Sequence, residues 1–379
     1  MFLISLVLLA LSVAGVPQFN VDLDVDPEER WKEVILYYKD LGAIEGFTRD
    51  GAQPEPAPDV AKVWTEAVQS QLDEDFEGEL RGWLKYGGSN LTREKIIQNA
   101  AMYEMNYPNF CSGIVAAMPN GTVVHGRNMD YLLFVEVKGK MMGWPDLTVD
   151  VTFLRDGQPL MTSVTWPMQL GIHTAMRFDG WTFEQNTRRL GNDLELNTAA
   201  VQQGGLVFGL LARRVMERVP DFETAVQELW SANLAAPQYF IMTGAGPFEG
   251  AVLSMDRGGV HDPSSPPLMR LSEENNTWHL LQTNDDLNGS PKDYRRPLET
   301  WKLTGSVQSQ VSPESVFSEM HGFGLKNPAT VFTWVAVPAT GFHRTVLPNE
   351  TWAQPEILSE TSTATLAQTF LAPRRTAKL

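Results

Sequence analysis

The spacing of apolar residues changes part-way along the chain. Up to about residue 110 they recur mostly at helical intervals, and beyond it they alternate or run together as in strands. Phe19-Asn20-Val21-Asp22-Leu23-Asp24-Val25-Asp26 alternates like a strand, and residues 27–39 read as a helix opening on Pro27-Glu28-Glu29. Residues 51–58, rich in proline, form a linker, and further helices are expected over 59–72, 77–84 and 92–107. Later, residues 147–155 alternate, Asp156-Gly157 makes a turn, and 158–166 return as a hairpin. Residues 202–219 and 221–234 read as helices, the second with Asp221 as N-cap. Strands follow at 238–243, 251–255 and 278–283. Then comes a helix opening on Ser312-Pro313, with proline at its first position, and a strand at 330–337. This order predicts an α+β sandwich, with sheets stacked and helices outside. The tail beyond Pro348 is polar and expected to be loosely ordered.

The stretch 108–130 bears most on chemistry, since it holds the only cysteine, Cys111. Two strand-like runs flank Asn120-Gly121, whose residues tolerate the positive φ of a tight hairpin turn. A two-residue turn there sets Cys111 opposite Asp130, on one face of the hairpin. Arg127 then points to the other face. Either the strand ends or bulges near Asn128, or the register is shifted by one. By itself Cys111 reads as a small buried hydrophobe, the usual fate of a free cysteine.

Charge and composition narrow the setting. The formal charge is −16, which argues against a nucleic-acid partner. Residues 16–110 carry 19 acidic and 9 basic side chains, so the smaller segment holds most of the charge. An acidic working pH would relieve its self-repulsion. Residues 1–15 are apolar, too short to span a membrane comfortably, and end in small residues suited to signal-peptide cleavage. Five acceptor triplets for glycosylation, at Asn90, Asn120, Asn275, Asn288 and Asn349, fit a secreted chain. A lone cysteine in an oxidising compartment favours chemistry over packing.

The segment Asn109-Phe110-Cys111-Ser112-Gly113-Ile114-Val115-Ala116, followed by His125-Gly126-Arg127-Asn128-Met129-Asp130, resembles the cleavage site of the N-acylethanolamine-hydrolysing acid amidase and acid ceramidase family. Those enzymes are N-terminal-nucleophile hydrolases that cut themselves before the cysteine. The resemblance implies a four-layer αββα fold with residues 16–110 as a mainly helical α-subunit or pro-segment. Residues 111–379 become the β-subunit, giving an αβ heterodimer from one precursor. It implies cleavage between Phe110 and Cys111, with Cys111 as nucleophile and its new α-amine as base. Asp130 orients that amine, and Arg127 favours the thiolate. Gln282-Thr283-Asn284-Asp285-Asp286 and Arg295-Arg296 match two later family stretches. The resemblance makes Asn284 an oxyanion donor and Arg295 an orienting group. No metal or cofactor is expected, and His125 reads as a strand position.

The family's Asn-Glu-Arg triplet appears as Asn186-Thr187-Arg188, so a supporting glutamate is missing or displaced to Glu184. Gly113 stands where serine is usual. The expected substrate is a fatty acid amide such as an N-acylethanolamine, with ceramide as the alternative and an inactive lipid-binding protein as the remoter one. Trp144, Trp166, Met168, Trp181 and Phe183 are candidates for an acyl channel. Lysosomal or extracellular residence, and peripheral contact with membranes or lipid aggregates, are expected.

Overall fold

The computed structural model describes residues 15–49, 56–105, 110–189, 191–259, 261–286, 307–322 and 325–352. The chain divides into a compact unit, Met1–Pro348, and a short C-terminal unit, Asn349–Leu379. Among the described residues, every helix and strand belongs to the first unit.

The N-terminal segment contributes β1 (Gln18–Asp22), α1 (Lys32–Leu41), α2 (Ala43–Thr48), α3 (Pro58–Gln69), α4 (Glu74–Gly87) and α5 (Arg93–Ala100). The hairpin that carries Cys111 is β2 (Phe110–Ala117) and β3 (Val123–Asp130). A small hairpin, β4 (Phe134–Val137) and β5 (Lys140–Gly143), follows it. Next come β6 (Val149–Arg155), β7 (Gln158–Thr165), β8 (Thr174–Arg177) and β9 (Trp181–Thr187). The helices α6 (Leu194–Gln202), α7 (Phe208–Arg218) and α8 (Phe222–Trp230) lead to β10 (Gln238–Gly244), β11 (Gly250–Met255), β12 (Met269–Arg270) and β13 (His279–Gln282). The last elements are α9 (Pro313–His321), β14 (Thr330–Val337) and β15 (Phe342–Val346).

One sheet runs β1-β6-β7-β8-β9-β10-β11-β12 and the second β13-β2-β3-β14-β15. They stack face to face: β2 and β3 lie against β9 and β10, with α7 and α8 outside the first sheet and α9 outside the second. The expected αββα sandwich of the N-terminal-nucleophile hydrolases is the fold.

The hairpin β6–β7 turns at Asp156-Gly157 as expected, both residues having positive φ. Asp221 caps α8 by accepting from the Thr224 amide. Other expectations shift for physical reasons. The helix expected over 202–219 begins only at Phe208, since Gly204 takes φ +87° ahead of it, and α6, which ends at Gln202, was not foreseen. A Cβ at Gly205 would lie 2.8 Å from the Ala200 carbonyl, so the chain turns where only glycine fits. The helix begun at 27 starts regularly only at Lys32, α5 stops at Ala100, and α2 was not foreseen. Nor were β8 and β9. Every residue of β9 is buried although Thr182, Glu184, Gln185 and Asn186 are polar, so its composition hides its place in the middle of a sheet.

The N-terminal segment is built into the sandwich. β1 pairs in parallel with β6, and Tyr38 donates to the Leu147 carbonyl at 2.8 Å. On α4, buried Glu79 receives both Nη atoms of Arg213 on α7, at 2.5 and 2.6 Å, and the Trp31 indole N–H at 2.7 Å. Glu104 accepts the Phe208 amide at the start of α7.

Candidate active site

The hairpin that carries Cys111 closes with three loop residues rather than two. Met118 and Thr122 are the last bonded pair, the Gly121 amide donates to the Met118 carbonyl, and Gly121 adopts φ +86°. This is a type I turn followed by a left-handed residue. The register therefore moves by one from the simplest expectation: Cys111 faces Met129, Gly113 faces Arg127, and Asp130 faces Phe110. Cys111 and Arg127 thus share the face between the two sheets. Asp130 falls on the other, as one of the open alternatives required.

Cys111 is wholly buried. Its Sγ lies 3.5 Å from Arg127 Nη2 and 3.6 Å from Met129 Sδ. Arg127 is clamped from the opposite sheet. Its Nη1 donates to the His173 carbonyl and, at 2.5 Å, to Thr174 Oγ1; its Nη2 reaches the Gln185 carbonyl at 2.8 Å. Burial pushes the Cys111 thiol up, and the neighbouring guanidinium pulls it down without overcoming that effect. The expected lowering by Arg127 is present, but desolvation outweighs it in the uncut chain.

Asn284 reaches Cys111 through its acceptor, not through the donor that an oxyanion role expects. Its Oδ1 takes the Cys111 backbone N–H at 2.8 Å and its Nδ2 donates to the Thr187 carbonyl at 2.8 Å. Its backbone is fixed by the Arg189 amide, and its neighbours by Arg188–Asp286 and Arg189–Asp285 ion pairs at 2.7 and 2.6 Å. The Asn186-Thr187-Arg188 stretch therefore docks the loop that carries Asn284. Asp130 accepts from Thr330 Oγ1 at 2.6 Å and Asn327 Nδ2 at 2.8 Å, at the end of the hairpin. Arg295 and Asn288 lie outside the described residues. Asn90, Asn120, Asn275 and Asn349 are exposed.

Sequence reasoning undervalued the layer beneath the cysteine. His125 is buried, with Nε2 2.8 Å from Glu184 Oε2 and Nδ1 2.7 Å from Thr182 Oγ1. Burial drives its pKa down to about 3, so the ring is neutral, and drives that of Glu184 well up, with Arg127 opposing. The available signal was Gly113, since glycine inside a strand marks the close approach of another group. Of the channel candidates, Trp144 and Trp166 meet at a tilt with ring centroids 5.0 Å apart, in an aromatic cluster that continues through Tyr131 to Tyr103. Trp181 and Phe183 belong elsewhere. The Trp181 indole donates to the Val219 carbonyl at the end of α7, and Phe183 packs on Phe240.

Known proteins resolve the kinship. A family model described as the beta subunit of N-acylethanolamine-hydrolyzing acid amidase matches residues 14–49. The N-acylethanolamine-hydrolyzing acid amidase of Rattus norvegicus is 31% identical over 324 residues, covering 84% of this chain and 85% of that one. The chain belongs to the N-acylethanolamine-hydrolyzing acid amidase family. A Caenorhabditis elegans relative of the same name is 26% identical over 94% of this chain and 100% of its own. Acid ceramidase of Homo sapiens is 26% identical, over 88% and 86%. The solved structure of the Caenorhabditis elegans ortholog of this acid amidase matches with a TM-score of 0.53 and 24% identity, over 65% of this chain and all of that one. That likeness supports the fold.

Proposed function

We propose that the protein is an acid amidase that hydrolyses fatty acid amides of the N-acylethanolamine type through Cys111, after cutting itself between Phe110 and Cys111. One observation carries the site: Asn284 Oδ1 holds the Cys111 amide while Arg127 sits 3.5 Å from the thiol of the same residue. In maturation the thiol attacks the Phe110 carbonyl and the C–N bond breaks, leaving a thioester on sulfur and a free α-amine on Cys111. Water then releases the Phe110 carboxylate. In turnover Sγ attacks the amide carbonyl of the substrate, and the α-amine takes the thiol proton and passes it to the departing amine. Water hydrolyses the acyl thioester to the free fatty acid. Asn284 holds the α-amine or the oxyanion, and Asp130 orients the amine.

After cleavage the pieces 16–110 and 111–379 stay together as a heterodimer. The shared sheet edge and the Glu79–Arg213 contact support this. Contact with lipid aggregates is supported by exposed Leu132, Phe134 and Met141, just beyond Asp130 in sequence. The secretory route and lysosomal or extracellular residence complete the proposal.

Intact-mass analysis after incubation in acid tests the assignment. Two fragments are expected, the second beginning at Cys111, and Cys111→Ala is expected to stay whole. A different new N-terminus, or undiminished cleavage in that variant, overturns it. Parallel assays with palmitoylethanolamide, ceramide and a peptide amide test the substrate. Faster turnover of ceramide moves the protein to the ceramidase branch, and hydrolysis of the peptide alone sinks the lipid reading.

A further inference from the structure

Gly113 and Glu184 are complementary in shape. A Cβ built on Gly113 would lie 2.4 Å from Glu184 Oε2 and 2.8 Å from its Cδ, so the carboxyl occupies the space that any side chain at 113 would need. One carboxyl oxygen, Oε2, is held by His125 at 2.8 Å. Among the described residues the other, Oε1, makes no hydrogen bond of normal geometry and lies 3.8 Å from Arg127 Nε, which makes none there either; the Asn186 side chain, near the carboxyl, favours its charged form as Arg127 does. The two Nη atoms of Arg127 are bound to the opposite sheet and to Cys111 and Met129, so the Nε edge is the side left for a counter-charge.

We infer that Glu184, seated by Gly113 and held by His125, is a positioning residue whose carboxyl sets the charge that Arg127 presents to Cys111; this rests on Cys111 being the nucleophile. The hydrogen-bond chain permits it. With Glu184 ionised, His125 donates Nε2–H to the carboxylate and its Nδ1 accepts the Thr182 hydroxyl. With Glu184 protonated, the carboxyl donates to Nε2, and Nδ1–H donates to Thr182 Oγ1, whose own hydrogen turns to Thr243 Oγ1 at 2.7 Å. The carboxyl therefore changes charge without losing its bond to His125. The charged or titratable groups facing it are Arg127, His125 and Asp130 from β3 and Cys111 from β2. An ionised Glu184 offsets Arg127 and holds the thiol up. A neutral one leaves the guanidinium acting on sulfur alone.

Because Cys111 is the only cysteine, the iodoacetamide adduct seen by intact mass reports this thiol, in the full chain as it exists. Glu184→Gln keeps a donor to His125 without charge. Its labelling midpoint is expected to move down by about one pH unit, which is about tenfold in rate below the midpoint. Glu184→Asp is expected to restore the charged profile. An unchanged profile in Glu184→Gln overturns the inference and leaves the residue a space-filler. Gly113→Ser is expected to lower the melting temperature, and Gly113→Ser/Glu184→Ala to recover most of it. Full tolerance of Gly113→Ser alone also overturns the inference. Alkylated protein that still hydrolyses the lipid amide would instead remove Cys111 as nucleophile, whatever Glu184 does to its ionisation.

Discussion

Arg213 and Arg127 are both buried and both face a glutamate, yet their surroundings differ. Arg213 grips Glu79 with two bonds, adds Glu217 at 2.8 Å and the Leu170 carbonyl at 2.9 Å, and lies among Trp31, Phe76 and Phe153. Between Arg127 and Glu184 the nearest approach is 3.8 Å, and the facing atoms Nε and Oε1 make no hydrogen bond. A satisfied buried pair is a staple, here between the N-terminal helices and α7. An incompletely satisfied one costs stability and is kept where charge is needed for chemistry. The difference separates the contact that pins the N-terminal helices to α7 from the one beside Cys111, where we place the chemistry.

Breaking the staple gives the largest effect. Glu79→Ala leaves Arg213 buried and uncompensated, and should cost about 3–5 kcal/mol in denaturant unfolding. A loss below about 1 kcal/mol would erase the distinction between staple and working pair. At the other site, Asn284→Ala unpairs the buried Cys111 amide and Thr187 carbonyl and should cost about 1–3 kcal/mol of stability, while lowering turnover of the folded protein by roughly 10²–10³-fold. Full activity in that variant would move the role to another group.

A third test uses pH. Burial raises Glu104 to about 8 and Asp150 to about 7. Between pH 6.5 and 8 the folded chain holds protons that the unfolded chain has already lost, so raising pH favours unfolding. Buried His125 and His173 stay neutral in the fold but titrate near 6.5 once unfolded, so they oppose the fall at the lower end of that window and drop out by about pH 7.5. The melting temperature should therefore fall from about pH 7.5 to 8.5, and Glu104→Gln should flatten the fall. An equal fall in that variant would remove Glu104 as a cause. The smallest effect belongs to the exposed pair Arg218–Glu228, where Arg218→Ala should change stability by no more than about 1 kcal/mol.

Much of the architecture was legible because it is locally written. The Asp156-Gly157 turn, the Asp221 cap and the opening of α9 on Ser312 each depend on a few adjacent residues. Cys111, Arg127, Asp130 and Asn284 could be picked out because residue type and spacing resembled a family. Of the layer under Cys111, the resemblance offered Glu184 only as a displaced glutamate, and His125 read only as a strand position. His125 and Glu184 are 59 positions apart, and only the stacking of two sheets makes them a pair.

Local sequence is enough to say that a hairpin turns near Asn120-Gly121 and that a mainly helical segment comes before it. Tertiary structure decided the register. At the hairpin tip Gly121 accepts the Phe248 amide, and a Cβ on it would lie 2.8 Å from Pro247, so the loop meets the turn between β10 and β11. Turn residues signal that a chain reverses, but a two-residue and a three-residue loop differ by one step of pairing. In a structure of period two, that step reverses the faces of one strand relative to the other. Here it sets Arg127 rather than Asp130 on the nucleophile's face, a choice made by contacts more than a hundred residues away in sequence.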